Sequence, residues 1–152
     1  MIKINYNIDE DKWNTNFPHH KKYISKTVNE TLNVVNTRHY KNLTVNFLLT
    51  SNNKIKVLNS KYRKKEKSTN VLSFPMKFYH DDCYVLGDIA LANQTLLKEA
   101  LEQKIKKYDY LCKLTIHGML HLLGYDHIKN NDYKKMLKRE KILFKSVISK
   151  ID

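Results

Sequence analysis

The sequence predicts an α/β (α+β) fold, a small mixed sheet of about four strands packed with about five helices in a single domain. Three observations carry that expectation. Runs of period two alternate with runs of helical spacing through residues 2–91. Residues 93–149 then read as helix after helix. Three Gly and two Pro among 152 residues leave no linker composition at which to divide the chain.

The elements follow in order. Ile2, Ile4, Tyr6 and Ile8 alternate, as in a half-buried strand. Ile24, Val28, Leu32 and Val35 mark a helix after Pro18. Leu43, Val45, Phe47 and Leu49 alternate again and form a second strand. Ser51 is placed to cap a short helix carrying Ile55 and Leu58. The segment KYRKKEKSTN, 61–70, holds five positive charges and one Glu, and reads as an exposed basic loop. Val71 to Phe74 is a short strand that Pro75 should stop. Residues 78–83 read as a loop or hairpin tip, and 84–91 as a strand interrupted at Gly87-Asp88. Asn93 can cap a helix bearing Leu96, Leu97, Ala100, Leu101 and Ile105. A further helix spans 108–123, with Gly124 in the position after a helix end where glycine is favoured. After a loop at 125–130, a last helix over 131–149 turns Met136, Leu137, Leu143, Phe144 and Val147 inward and its lysines outward.

Lys and Arg number 28 against 15 Asp and Glu, a net charge of +13. Such an excess favours a polyanionic partner: RNA, DNA or an anionic membrane face. Ten Tyr and five Phe oppose disorder. No run of about 18 apolar residues is present, so no membrane span is expected. The start, MIKINYNIDEDK, has no apolar core of a signal peptide. Cys83 and Cys112 form no spacing motif and read as small buried thiols, which suits the cytoplasm.

Chemistry concentrates in LTIHGMLHLLGYDH, 114–127. His117 and His121 are four residues apart, about 40° round a helix and one turn along it. Gly124 can reverse the chain and bring His127 back toward them. Three imidazole nitrogens at about 2.0–2.1 Å satisfy zinc and leave its fourth tetrahedral position open. His19, His20, His39 and His80 lack such spacing and read as surface or loop residues. The peptidase pattern H-E-x-x-H needs a Glu after the first His, and Gly118 stands there, so a metallopeptidase is the weakest reading. Gly118 points instead to close approach of backbone or substrate. Arg63 offers a planar fork for phosphate oxygens, and Lys61, Lys64 and Lys65 surround it. Glu66 can pair with one of these neighbours. Asp126 and Asp88 could each accept a hydrogen bond from a ligand imidazole, or serve a turn or bulge. A fourth protein ligand, Cys83 or Asp88, would turn the site into a closed structural one.

These residues resemble the YbeY family of bacterial rRNA-maturation endoribonucleases. The stretch from His117 to His127 is similar to the family's H-G-x-L-H-L-x-G-Y-D-H, letter for letter at the fixed positions. LNSKYRKKEKSTNVLSFP at 58–75 resembles L-N-x-x-Y-R-x-x-D-x-P-T-(N/D)-V-L-S-F-P, and Leu86-Gly87-Asp88-Ile89 resembles L-G-D-I. Glu66 stands where the family has Asp, and Ser68 where it has Pro. The resemblance implies a small metal-hydrolase fold with one zinc ion per chain on His117, His121 and His127. It further implies cleavage of single-stranded RNA, 16S rRNA 3′-end processing and ribosome quality control. Arg63 takes the family's loop arginine, which implies a catalytic role. The implied partners are rRNA, the ribosomal subunit, and a ribosomal protein or GTPase.

Overall fold

The computed structural model describes residues 2–35, 37, 40–63, 71–125 and 130–151, without the side chains of Tyr62, Arg63 and Asn130. Four strands, β1 (Ile2–Ile8), β2 (Leu43–Thr50), β3 (Val71–His80) and β4 (Cys83–Ala92), form one sheet in the order β1-β2-β4-β3. β1 pairs β2, and β2 pairs β4, in parallel; β3 and β4 are an antiparallel hairpin. The mixed sheet of the α+β expectation is therefore present.

The helices are α1 (Lys12–Asn16), α2 (His20–Val34), α3 (Asn52–Arg63), α4 (Asn93–Glu102), α5 (Lys107–Leu122) and α6 (Asn130–Ile151). One more helix is present than expected, because α1 is too short to show a period. Its Trp13 is fully buried, donates from Nε1 to the Thr50 carbonyl at 2.9 Å, and packs on Phe17.

The sheet is covered on both sides. One face, with Val45, Phe47, Leu49, Ile89 and Leu91, meets α1, α2, α4 and α5 in the main core. On the other face Ile55 of α3 packs with Leu72, Ala90 and Ala92. The alternation of strand side chains makes this division. α5 buries ten of its sixteen residues, as a helix packed between a sheet and other helices must. α6 closes that layer: its Met136, Leu143 and Val147 pack with Cys112, Ile116 and Leu120 of α5.

Several sequence expectations are corrected. β3 runs through Pro75 to His80 instead of ending at Phe74. It is an edge strand, its register with β4 shifts between Pro75 and Phe78, and Lys77 adopts φ 53, so the missing N–H breaks no regular ladder. Only Asp81 and Asp82 remain as the hairpin tip. Residues 61–63 of the expected basic loop are the last turn of α3, and 64–70 lie outside the described residues. Ser51 caps α3, accepting from Lys54 N–H at 3.2 Å. Asn93 does not cap α4; it is the first helical residue, buried. The Asn52 side-chain oxygen Oδ1 accepts from Thr95 N–H instead, at 3.1 Å, a cap supplied from another helix. Leu101 and Leu137 face outward rather than inward. His20 is buried against Trp13, with Nε2 3.3 Å from Asn14 Oδ1. Cys112 is buried as expected, and burial pushes its thiol up to about 11. Cys83 is only half-buried, with Sγ 2.6 Å from Thr44 Oγ1.

Candidate functional site

α5 presents one partly open stripe. Lys113, His117 and His121 are half-buried, while the residues between them, apart from these, are buried. The spacing of four puts the two rings one turn apart. Their centroids lie 4.6 Å apart at 75°, edge to face, and the two Nε2 atoms are 3.1 Å from each other.

The other side of His117 is held by α6. His117 Nδ1 is 2.7 Å from Glu140 Oε1. An ionised carboxylate only accepts, so the Nδ1 proton belongs to His117, and in a neutral ring Nε2 then carries the lone pair. The carboxylate of Glu140 is largely shielded, with 19% of its side chain exposed, and the imidazole has 32% exposed. This carboxylate–histidine contact is what fixes the tautomer and ring orientation of metal-bound histidines.

The donor set can be tested against a metal. Two nitrogens each about 2.0–2.1 Å from one tetrahedral ion stand about 3.3 Å apart. The observed 3.1 Å, with a carboxylate behind one ring, fits that requirement. Among the described residues no group of three or more His, Cys, Asp and Glu side chains gathers around one point. The third expected ligand, His127, lies outside the described residues, as does Asp126.

The chain end of α5 is built to turn. Gly124, at φ 99, donates to the His121 carbonyl at 3.1 Å, and Tyr125 N–H reaches the Leu120 carbonyl at 2.9 Å. These are the two bonds of a Schellman motif, with Tyr125 packed in the cluster that holds Leu120. The helix thus stops at Gly124, as the sequence expects.

Gly118 lies about a quarter-turn round the helix from the two rings, on the side that meets the sheet. A Cβ there would meet Ile89 side-chain carbons at 3.1 Å and Ser73 Oγ at 3.3 Å. Ser73 Oγ donates to the Gly118 carbonyl at 3.2 Å. The close approach anticipated for Gly118 is therefore to the sheet, and any side chain at that position must push Ile89 and Ser73 aside.

The remaining candidates separate. Asp88 is not brought to the histidines. Ile89 packs under Gly118, so its neighbour Asp88 faces the other side of the sheet, where it accepts from Asn46 Nδ2 at 2.9 Å. Cys83 is engaged with Thr44. Lys61 is exposed on α3, and Arg63 ends that helix. Lys64, Lys65, Glu66 and Ser68 lie outside the described residues, as does His39. His19 and His80 are exposed, as expected.

Glu140 is the residue that sequence reading missed. A signal was present: Met136, Glu140, Leu143 and Val147 share one helix stripe, and a lone carboxylate on an inward-facing apolar stripe needs a partner.

Comparison with known proteins finds relatives along nearly the whole chain. The family model for Endoribonuclease YbeY matches residues 6–148. Endoribonuclease YbeY of Pelagibacter ubique is 37% identical over 137 residues, 89% of this chain and 80% of that relative. Endoribonuclease YbeY of Wolbachia sp. subsp. Drosophila simulans is 34% identical over 142 residues, 92% of each chain. A solution structure of a Thermotoga maritima protein superposes with a TM-score of 0.58 at 27% identity, covering 97% of this chain and 89% of that one. With the motif-bearing helix, its paired imidazoles and these matches over nearly the whole length, the chain belongs to the endoribonuclease YbeY family.

Proposed function

We propose that residues 1–152 act as one zinc-dependent domain that cuts single-stranded RNA in rRNA maturation, including 16S 3′-end processing and ribosome quality control. Family membership supports the endoribonuclease activity. The observation that carries the metal dependence is the pair of Nε2 atoms 3.1 Å apart, one ring backed by Glu140. His117, His121 and His127 are the proposed ligands of one ion per chain. When bound, that ion supplies positive charge for the anionic oxygens of the scissile phosphodiester.

The chain's own residues do the rest. Glu140 keeps the proton on His117 Nδ1 and so directs the Nε2 lone pair toward the shared point. The buried body of α5, with Gly118 seated on Ile89, holds both rings at a fixed distance from the sheet. Arg63 stabilises the negative charge that builds at phosphorus, and Lys61, Lys64 and Lys65 hold the RNA backbone. The crowding at Gly118 argues against peptide hydrolysis, which needs a carboxylate there. A net charge of +13 suits rRNA and the ribosomal subunit as partners, with a ribosomal protein or GTPase alongside. The cytoplasm is the proposed compartment; no helix among the described residues is long and apolar enough to cross a membrane.

The test is cleavage of a labelled single-stranded RNA by zinc-loaded protein, beside a duplex RNA and an unfolded protein as substrates. Cleavage of the single strand alone, lost by at least about 100-fold in His121→Ala and in Arg63→Ala variants that keep wild-type circular dichroism, is the expected result. Intact RNA with normal ribosome association would leave an assembly factor with a structural zinc.

A further inference from the structure

We infer that the outer face of α6 is a track for single-stranded nucleic acid, with Tyr133 and Leu137 forming a nucleobase seat beside the histidines and a row of lysines holding the phosphates. The inference rests on RNA being the substrate, as proposed above, and names where the strand lies.

The seat is a recess of about 250 Å³ lined by His117, Tyr133, Met136, Leu137 and Glu140. Its polar end is the His117–Glu140 pair and its walls are apolar. Tyr133 is 50% exposed and Leu137 37%, four residues apart on one face of α6. An aromatic ring and a branched aliphatic chain held open beside the site offer a flat, unselective surface for a base. Because His117 is itself part of the lining, a base seated there belongs to a nucleotide adjoining the phosphate at the histidines.

The lysines make the second half. Lys134, Lys138, Lys141 and Lys145 recur at steps of four, three and four, so they form one stripe. At about 100° per residue that stripe lies roughly a quarter-turn round from Tyr133 and Leu137, on the solvent side. All four are exposed, and none takes an ion pair or hydrogen bond among the described residues. Lys150 on the same helix shows the contrast, since Glu30 neutralises it at 2.9 Å. Successive lysines about 4.5–6 Å apart along the axis give a continuous positive rail. Apolar seat and cationic rail, side by side along one helix, match the two needs of an unpaired strand: stacking for bases and charge for the backbone. A duplex, whose bases are already stacked, has no use for the seat.

Fluorescence anisotropy with a short unstructured fluorescein-labelled RNA tests this, using the protein as isolated, on ice, with the probe's intactness checked by gel. Tyr133→Ala should weaken binding of the single strand about 5- to 150-fold, and Tyr133→Phe should restore it. Binding of the same sequence as a duplex should change little with either. The combined Lys134→Ala, Lys138→Ala and Lys141→Ala variant should lower the slope of log affinity against log salt by about 2, at about 0.7 per lost phosphate contact. Single-strand binding unchanged in Tyr133→Ala, an equal loss on duplex, or an unchanged salt slope in the lysine variant would overturn the track. Cleavage is read separately. A wild-type protein that cuts no RNA defeats the nuclease proposal, while the binding comparison still decides the track.

Discussion

A single contact of 2.7 Å between Glu140 and His117 joins two helices at the site. If this carboxylate sets the tautomer of the ring, its loss should be felt in metal affinity before it is felt in folding. Glu140→Gln, which keeps shape but can also donate, should weaken zinc binding about 10- to 100-fold in a competition titration with a chromophoric chelator. Affinity equal to wild type would show that the contact is only packing. At this scale the sequence was partly readable. His117, His121 and Gly124 were legible because helical spacing and a glycine stop are local properties. Glu140 was not, because its partner stands 23 residues away and only the packing of α6 on α5 brings them together. Asp88 misled for the converse reason. Its sequence position left it open to accept from a ligand imidazole or to serve a turn or bulge, and strand alternation turns it to the face away from the histidines.

The β3–β4 hairpin shows what an element adds to a pattern. In β4 the core-facing residues Leu86, Ile89 and Leu91 do not keep period two. Thr44 pairs with Val85 and Val45 with Gly87, so Leu86 is an extra residue that resets the alternation. Gly87 makes this bulge possible: it has φ 150, and a Cβ on it would stand 2.3 Å from the Phe74 carbonyl oxygen and 2.8 Å from Leu122 of α5. Gly87→Ala should therefore cost about 2 kcal/mol or more in urea unfolding, through backbone strain and displacement of the hairpin. A cost below about 0.5 kcal/mol would mean that the bulge relaxes freely. The sequence reading saw an interrupted strand here but ended β3 at Pro75, since a proline's tolerance at a sheet edge depends on strand order, which no local run of residues encodes. The cap of α4 was unreadable for a similar reason, because Asn52 reaches it from 43 positions away.

Over the whole molecule the order of strands and helices was legible, because each hydrophobic run has a clear period and the loops between are short. Burial of individual polar groups was not. His20 reads as a surface residue, yet it sits beneath Tyr6 and Trp13 at 4% exposure. Burial, with Lys21 beside it, holds its imidazole below the ordinary value of 6.5. The unfolded chain then binds more protons than the folded one as pH falls through 6.5, so this residue's contribution is full above that pH and is lost below it. The urea midpoint should be higher at pH 7.5 than at pH 5.5, and His20→Gln should shrink the difference. A pH dependence unaltered by the substitution would move the effect elsewhere.

The fastening of α6 also bears on when the protein becomes dangerous to its surroundings. Glu140 grips His117 midway along that helix, and near its end Ser146 and Lys150 both bond to Glu30 of α2. Of the elements described, α6 is the last to leave the ribosome during synthesis. Until it docks, the first imidazole lacks the carboxylate that backs it, so a nascent chain emerging through a machine made of RNA carries an unfinished blade.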